Sequence, residues 1–254
     1  MKARRIGLAL LALSVWAPAS SAQVWDKKAW QQWSKDDCVK VLEDSPWGRK
    51  WYRSKVQQDR FGQPTGGDTR ETEQQIFYVL QLRSALPVRQ AVARQAQIQN
   101  KYDKMKPEDK KNLDASTDRY LAGKYEDVIV VHVLYGSNVQ AYERELMRYW
   151  KSFPKGTVPQ EAALTTSTGV KVQPLQFISP PGAALEFELI FPRMVNGEPL
   201  ITPAVKSFSV EFRHPNVGNL ETEQLGGNVS VEKYARVSVE FKTEKMLLNG
   251  VTVF

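Results

Sequence analysis

The spacing of hydrophobic residues changes along the chain, and this change predicts two kinds of secondary structure. Before about residue 153, several segments repeat apolar side chains every three or four positions, which is typical of amphipathic helices. From Val170 onward, apolar and polar residues alternate, which is typical of strands that bury one face. The pattern therefore predicts an α+β fold with a helical N-terminal half around a small sheet and an antiparallel β C-terminal region.

Capping residues and prolines mark the predicted helix starts. Ser34 followed by Asp37 resembles a capping box. Ser45-Pro46 predicts a further helix, with Ser as the N-cap and Pro at the first helical position. Trp47 and Trp51 would then lie four residues apart on one face of that helix. Three later helices are expected to start at Pro87, Pro107 and Asn138.

Strands are predicted on both sides of this helical region. Ile76–Leu82 and Val128–Tyr135 are rich in apolar and β-branched residues, as buried strands are. Alternation predicts further strands at residues 185–191, 208–212 and 237–241. Two Asn-Gly pairs, Asn196-Gly197 and Asn249-Gly250, predict tight hairpins.

These elements suggest four regions. Residues 1–22 form a predicted signal peptide, residues 23–153 a mainly helical α+β domain, residues 154–169 a linker and residues 170–254 an antiparallel β domain. Residues 60–72 contain three glycines and a proline and are predicted to be a loop.

The N-terminal segment has the three parts of a secretory leader. Lys2, Arg4 and Arg5 precede the apolar run Ile6–Val15, and small residues lead to a predicted cleavage site after Ala22. The run is shorter than the roughly 20 residues that a spanning helix needs. We therefore predict a periplasmic or secreted protein without a membrane span in its mature form.

Composition and charge exclude several function classes. The 254-residue chain carries 35 Lys and Arg against 28 Asp and Glu, a net charge of +7, and removing the three basic residues of the leader leaves 32 against 28, or +4. The basic residues are interleaved with acids rather than clustered, so no nucleic-acid partner is predicted. One Cys and two His leave no basis for a disulfide framework or a metal centre. No metal and no cofactor are predicted. For Cys38, a free thiol and an intermolecular disulfide are both kept as alternatives.

No catalytic residue is assigned, because the sequence contains no metalloprotease, nucleophile-elbow or phosphate-loop motif. His132 lies in an apolar strand and is interpreted as a core residue. Glu186 and Glu188 lie two apart on one strand face, as a glycosidase pair would. Alternating strands with a solvated face also produce such pairs. A carbohydrate-active hydrolase with paired carboxylates is therefore kept as the alternative function.

Tryptophan is unusually concentrated near the predicted mature N-terminus. Trp25, Trp30, Trp33, Trp47 and Trp51 fall within 27 residues. Since indole rings are favourable at interfaces, the last four are candidate binding residues for a sugar or a partner protein. The opposing interpretation, which we favour, is that the rings pack in the core.

Two arginines are further candidates. Arg89 follows Pro87 at a predicted helix start, and Arg193 follows Pro192 at the end of a predicted strand. Either guanidinium could bind an anionic ligand, whereas a pairing with a carboxylate of the protein explains them equally well. The ion-pair interpretation is the favoured one.

Three segments resemble a known group of proteins: Leu42–Trp47, Ser84–Ala91 and Phe191–Arg193. They are similar to segments of uncharacterised exported proteins from soil bacteria of the acidobacterial type. The resemblance implies export and carries no catalytic residues. Together with the predicted signal peptide and the absence of a catalytic motif, it predicts a non-enzymatic binding or assembly component of the cell envelope, with an envelope glycan or a protein as partner.

Overall fold

A computed structural model describes residues 23–56, 73–154, 156–159, 161–179, 182–219, 222–224, 230–232 and 236–254. The predicted signal peptide and the predicted loop at residues 60–72 lie outside these ranges. In the described part of the chain, helices and antiparallel sheets are mixed, which confirms the α+β class.

Within the described residues the chain forms five α-helices. They are α1 (Val24–Lys27), α2 (Lys35–Glu43), α3 (Leu86–Gln99), α4 (Pro107–Leu121) and α5 (Gln140–Lys151). The predicted capping box begins α2, where the Ser34 hydroxyl accepts from the Asp37 N–H and the Asp37 carboxylate accepts from the Ser34 N–H. Prolines stand in the first turn of α3 and α4, as predicted.

A five-stranded antiparallel sheet forms the centre of the molecule. Its strand order is β1-β2-β3-β7-β6, and the strands are β1 (Gly48–Val56), β2 (Glu73–Leu82), β3 (Val128–Ser137), β6 (Gln176–Ile178) and β7 (Glu186–Pro192). The apolar runs that predicted β2, β3 and β7 fill one face of this sheet with buried rings and β-branched residues.

A second antiparallel sheet has the order β13-β10-β4-β5. Its strands are β4 (Ala163–Thr166), β5 (Lys171–Val172), β10 (Ser207–Arg213) and β13 (Arg236–Lys242). The described residues also form three two-stranded antiparallel sheets: β8 (Met194–Val195) with β9 (Glu198–Pro199), β11 (Thr222–Gln224) with β12 (Ser230–Glu232), and β14 (Leu247–Leu248) with β15 (Val251–Thr252).

Both predicted Asn-Gly hairpins are confirmed. At the β8–β9 turn, Asn196 and Gly197 have φ values of 52° and 84°. At the β14–β15 turn, Asn249 and Gly250 have φ values of 50° and 79°. Positive φ at both central residues is the requirement of a type I′ turn, which asparagine and glycine meet with little strain.

One continuous hydrophobic core joins α5 to the two sheets. Trp150 of α5 is fully buried and donates its indole N–H to the Tyr78 hydroxyl of β2 at 3.1 Å. Its ring lies 4.3 Å from Phe187 of β7 and 5.5 Å from Phe212 of β10, measured between centroids. The Trp150 ring of α5 thus packs against both sheets. This packing connects the N-terminal and C-terminal parts of the chain.

The helix predicted at Ser45-Pro46 is wrong. The Ser45 hydroxyl accepts from the N–H groups of Trp47 and Gly48, as an N-cap would, but the chain then enters β1. A Cβ at Gly48 would lie 2.3 Å from the carbonyl oxygen of Leu42, so the turn requires glycine. Hydrogen bonding along nine residue pairs with β2 then holds the segment extended.

The N-cap predicted at Asn138 is also wrong. Helix α5 begins at Gln140, with Val139 in the cap position and no side-chain cap. The Asn138 side chain binds the start of β2 instead: it accepts from the Gln75 N–H and donates to the Glu73 carbonyl, both at 2.7 Å.

The predicted regions differ from the observed architecture in three respects. Residues 163–166 form β4, so this part of the linker predicted at 154–169 is wrong. Strands β6 and β7 lie beyond that linker, yet they complete the sheet that begins with β1, β2 and β3. The predicted helical character of the N-terminal half is not confirmed, because three long strands of this sheet belong to it.

No helix in the described ranges is long and apolar enough to cross a membrane.

Candidate functional site

The two arginines that the sequence singled out line the same pocket. Arg89 lies in the first turns of α3, and Arg193 follows β7, more than a hundred residues later in the chain. The pocket has a volume of about 490 Å³ and is completed by Ser84, the Tyr125–Glu126 segment and residues 252–254. We call it the arginine pocket. Its volume falls within the roughly 300–1,000 Å³ range of small-molecule sites.

Arg89 is held by the C-terminal end of α4. Its Nη1 donates to the carbonyl oxygens of Leu121 and Gly123, and the guanidinium carbon lies 5.0 Å from the centroid of the Tyr125 ring. Carbonyls at a helix C-terminus carry partial negative charge, which favours a cation there. The side chain is only 8% exposed, and its buried Nε has no acceptor among the described residues.

Arg193 also lines the arginine pocket and binds main-chain oxygens. Its Nη2 donates to the main-chain oxygen of Phe254 at 2.8 Å, and its Nε donates to the Val128 carbonyl at 3.4 Å. The guanidinium carbon lies 5.1 Å from the centroid of the Phe254 ring. Partial burial lowers the pKa of Arg193 below its ordinary value, because desolvation disfavours the charged form.

The favoured ion-pair interpretation of these arginines is wrong for the described residues. Neither guanidinium pairs with an Asp or Glu side chain there, and both donate to main-chain oxygens. Glu126, an exposed residue, is the acid that lines the pocket. The pocket therefore holds two guanidiniums and one acidic side chain.

Ser84 adds an unpartnered polar group to the arginine pocket. The residue is 5% exposed, and its hydroxyl is buried without a hydrogen-bond partner in the described part of the chain. The Arg89 Nε is likewise buried without a hydrogen-bond partner among the described residues, although buried polar atoms are nearly always paired. Ser84 and Tyr125 could not be predicted from the sequence, because they line the pocket only where α3 and the 122–127 segment meet.

The four candidate binding tryptophans, Trp30, Trp33, Trp47 and Trp51, do not form one exposed surface. Trp33 and Trp47 are 1% and 0% exposed, whereas Trp30 and Trp51 are half-buried. The Trp47 indole packs edge-on against Trp25 at 5.1 Å and donates its N–H to the Val253 carbonyl. Because the segment after Pro46 is extended rather than helical, Trp47 and Trp51 do not share a helix face.

Trp30 and Trp33 do line a smaller cavity of about 290 Å³, together with Trp25 and residues 26–29. The Trp33 indole donates its N–H to the Lys28 carbonyl at 3.2 Å, so its polar edge is already occupied. Trp51 packs on the core side of β1, with its ring 5.9 Å from Tyr78. These contacts make the tryptophans mainly core residues, as the favoured interpretation expected.

Glu186 and Glu188, the paired carboxylates of the alternative hydrolase function, both lie beside His132. The Glu186 and Glu188 carboxylates lie 3.4 Å from Nε2 and Nδ1 of His132, respectively. His132 and Glu188 are direct cross-strand partners on β3 and β7. The sequence predicted each residue separately but not their contact, because the pairing of β3 with β7 brings them together.

The His132 contact stabilises the charged form of Glu188. His132 holds the pKa of that carboxyl below its ordinary value, against an opposing effect of burial. A lowered folded-state pKa means that this contribution to stability is present above the unfolded pKa of about 4.3 and is lost as the pH falls through the folded value. It also means that Glu188 stays ionised near neutral pH, unlike the general acid of a glycosidase.

We therefore expect Glu188→Gln to lower the free energy of unfolding at pH 7 by up to about 1 kcal/mol, since the carboxylate is one-third exposed. The difference from the unmodified protein should shrink below about pH 4. Urea denaturation at pH 7 and pH 3.5 measures it. Glu240→Gln, at an exposed position of β13, is the matched control and should leave stability unchanged at both pH values. An equal loss for Glu188→Gln at both pH values would contradict this account.

Cys38 offers no nucleophile. The residue is fully buried on α2, and desolvation raises the pKa of its thiol to about 11. A thiol in this state is protonated at neutral pH and does not attack a substrate. Within the described ranges, no group of three or more His, Cys, Asp or Glu side chains is placed to hold a metal ion.

No protein-family model, curated protein or solved structure matches the chain.

Proposed function

We propose that this chain is an exported, non-enzymatic binding protein that holds an anionic ligand in the arginine pocket. One observation carries the proposal: Arg89 and Arg193 line a single pocket, and neither guanidinium pairs with an Asp or Glu side chain among the described residues. The pocket thus brings two guanidiniums together beside one exposed carboxylate, that of Glu126.

The energetics of burial support an anionic occupant. A guanidinium that is removed from water loses hydration, and neutral carbonyls return only part of that free energy. A carboxylate or phosphate oxygen returns more, because hydrogen bonds between ionised groups are roughly twice as strong as neutral ones.

The hydrolase alternative has weaker support. Glu186 and Glu188 do lie together, but both contact His132. Paired-carboxylate hydrolysis needs one carboxyl group with a raised pKa, and the pKa of Glu188 is shifted in the opposite direction.

The proposal also includes export of the protein and a partner in the cell envelope. The pattern at residues 1–22 supports a periplasmic or secreted location, as does the resemblance to exported proteins. An envelope glycan or protein partner would fit the arginine pocket through an anionic group. The pocket itself does not distinguish among these sources, so a simple anion is the appropriate first probe.

We expect Arg193→Gln to weaken binding of acetate and of inorganic phosphate about tenfold or more, because one charge-assisted contact is lost. Isothermal titration or NMR titration of the purified protein measures the dissociation constants. Arg119→Gln changes the same charge at an exposed position of α4 outside the pocket and should bind like the unmodified protein. Equal affinities for all three proteins, or no saturable binding by the unmodified protein, would overturn the proposal.

A further inference from the structure

A second concave site lies where residues 25–33 meet α3. It is the cavity of about 290 Å³ that Trp30 and Trp33 line, and we call it the tryptophan cavity. Gln90 of α3 and Asn249 at the turn of the β14–β15 hairpin also line it. It shares no lining residue with the arginine pocket. Three segments that are far apart in the sequence therefore form a site that the proposed function does not use.

Hydrogen bonds and packing hold the walls of the tryptophan cavity in place. Arg94 of α3 donates its Nε–H to the Trp33 carbonyl at 2.9 Å, and the Trp33 indole donates its N–H to the Lys28 carbonyl at 3.2 Å. Trp25, which also lines the cavity, is 5% exposed and packs edge-on against Trp47. A ligand would therefore meet a wall that is already ordered, which lowers the entropy cost of binding.

Trp30, Gln90 and Asn249 bring polar groups to the cavity that the protein itself does not pair. Trp30 and Gln90 are half-buried, and neither side chain makes a hydrogen bond to another described residue. Asn249 is exposed, and its side-chain amide likewise has no partner in the described part of the chain. Each amide offers two N–H donors and one carbonyl acceptor, and the indole offers one N–H donor. The cavity thus combines an aromatic ring with both donors and acceptors.

The charged residues that line the tryptophan cavity balance one another. Asp26 and Lys27 are exposed neighbours with opposite charges. The third, Lys28, is paired with Asp37 at 3.1 Å between Nζ and Oδ2. The described lining therefore gives neither an anion nor a cation an excess of opposite charge, and this balance favours an uncharged ligand.

We propose that the tryptophan cavity binds one ring of a neutral saccharide. The C–H groups on one face of a pyranose ring carry partial positive charge and pack against the electron-rich face of an indole, which Trp30 supplies. Sugar hydroxyls donate and accept hydrogen bonds, as the amides of Gln90 and Asn249 do. The volume lies just below the roughly 300–1,000 Å³ of sites for drug-sized ligands, which fits a single ring.

The test follows the indole N–H signals of the tryptophans by NMR while methyl glucoside, methyl galactoside and methyl N-acetylglucosaminide are added to the purified protein. At least one of these neutral pyranosides should give a saturable shift of the Trp30 signal, with the signal of the core residue Trp150 unmoved. Sorbitol carries similar hydroxyls without a ring face and should bind at least about fivefold more weakly. Glucuronate adds a negative charge to the ring and should bind no tighter than the neutral pyranosides.

Variants assign the binding to this cavity. Gln90→Leu retains much of the side-chain volume but removes the amide, so it should weaken pyranoside binding by about twofold to tenfold. Gln99→Leu makes the same change at an exposed position of α3 outside the cavity and is the matched control. Trp30→Ala should abolish saturation, whereas Trp30→Phe, which retains an aromatic face, should keep part of the affinity. Circular dichroism checks that each variant is folded, and Gln90→Leu decides the test if Trp30→Ala is not.

Acetate titration of the same preparation separates this inference from the proposed function. If acetate binds and no pyranoside gives a saturable Trp30 shift, the saccharide inference fails and the anion site stands. If a pyranoside binds and acetate does not, the proposed function fails and the saccharide site stands. Equal affinity of Gln90→Leu and the unmodified protein, or tighter binding of glucuronate than of every neutral pyranoside, would overturn the inference.

Discussion

Replacing Trp47 with alanine should lower the free energy of unfolding by roughly 3–5 kcal/mol, as truncations of large core side chains do. The Trp47 side chain is fully buried, packs edge-on against Trp25 and donates its indole N–H to the Val253 carbonyl. The variant therefore loses apolar burial, an aromatic contact and a hydrogen bond, and it leaves a cavity. Chemical denaturation followed by circular dichroism measures the loss.

Two further substitutions sharpen this test. Trp47→Phe retains most of the packing but not the N–H donor, so it should cost about 1–2 kcal/mol. Tyr52→Ala removes a ring that is 62% exposed on β1 and should change stability by less than about 1 kcal/mol. If Trp47→Ala unfolded at the same denaturant concentration as the unmodified protein, the assignment of this indole to the core would be wrong.

Replacing Arg89 with methionine should destabilise the protein by about 2–4 kcal/mol, because it removes two hydrogen bonds from a charged donor. Methionine has a similar length but cannot donate to the Leu121 and Gly123 carbonyls, which would then lack their partner where α4 ends. The same variant should lose most of its affinity for acetate, since Arg89 also lines the arginine pocket.

Arg89→Lys provides the control for this second prediction. It keeps the positive charge but not the planar fork of donors, so it should recover part of the stability and part of the binding. Denaturation and acetate titration are measured on the same preparations. A methionine variant that is as stable as the unmodified protein would show that the contact between α3 and the end of α4 contributes little.

Local patterns in the sequence predicted many of the elements. Alternating apolar residues identified β7, β10 and β13, and the continuous run from Val128 identified β3. Proline in the first turn identified α3 and α4. These predictions hold because the signal and the structure involve the same few neighbouring residues.

The wrong helix prediction at Ser45-Pro46 shows what a short stretch of sequence cannot predict. The Ser45 hydroxyl makes the hydrogen bonds expected of an N-cap, so the local chemistry was correctly interpreted. Pairing with β2 decides that the chain continues as a strand rather than a helix. Along most of β1, the paired residue of β2 lies 25 or more positions later in the sequence. No short window of sequence contains that information.

The arrangement of the candidate site also depends on residues that are far apart in the sequence. Arg89 and Arg193 were each recognised as possible anion ligands, but the sequence could not show that they share a pocket. Their proximity depends on the pairing of β3 with β7, which joins the two halves of the chain in one sheet. The contact of His132 with Glu186 and Glu188 depends on the same pairing.

The most direct test of the anion site is an NMR titration that follows the Nε–Hε signals of the arginine side chains while acetate is added. We expect saturable shifts of the Arg89 and Arg193 signals, with the Arg119 signal unchanged and the Arg89 shift lost in Arg193→Gln. Saturable shifts confined to the indole signals of Trp30 and Trp33, with both arginine signals unmoved, would contradict it.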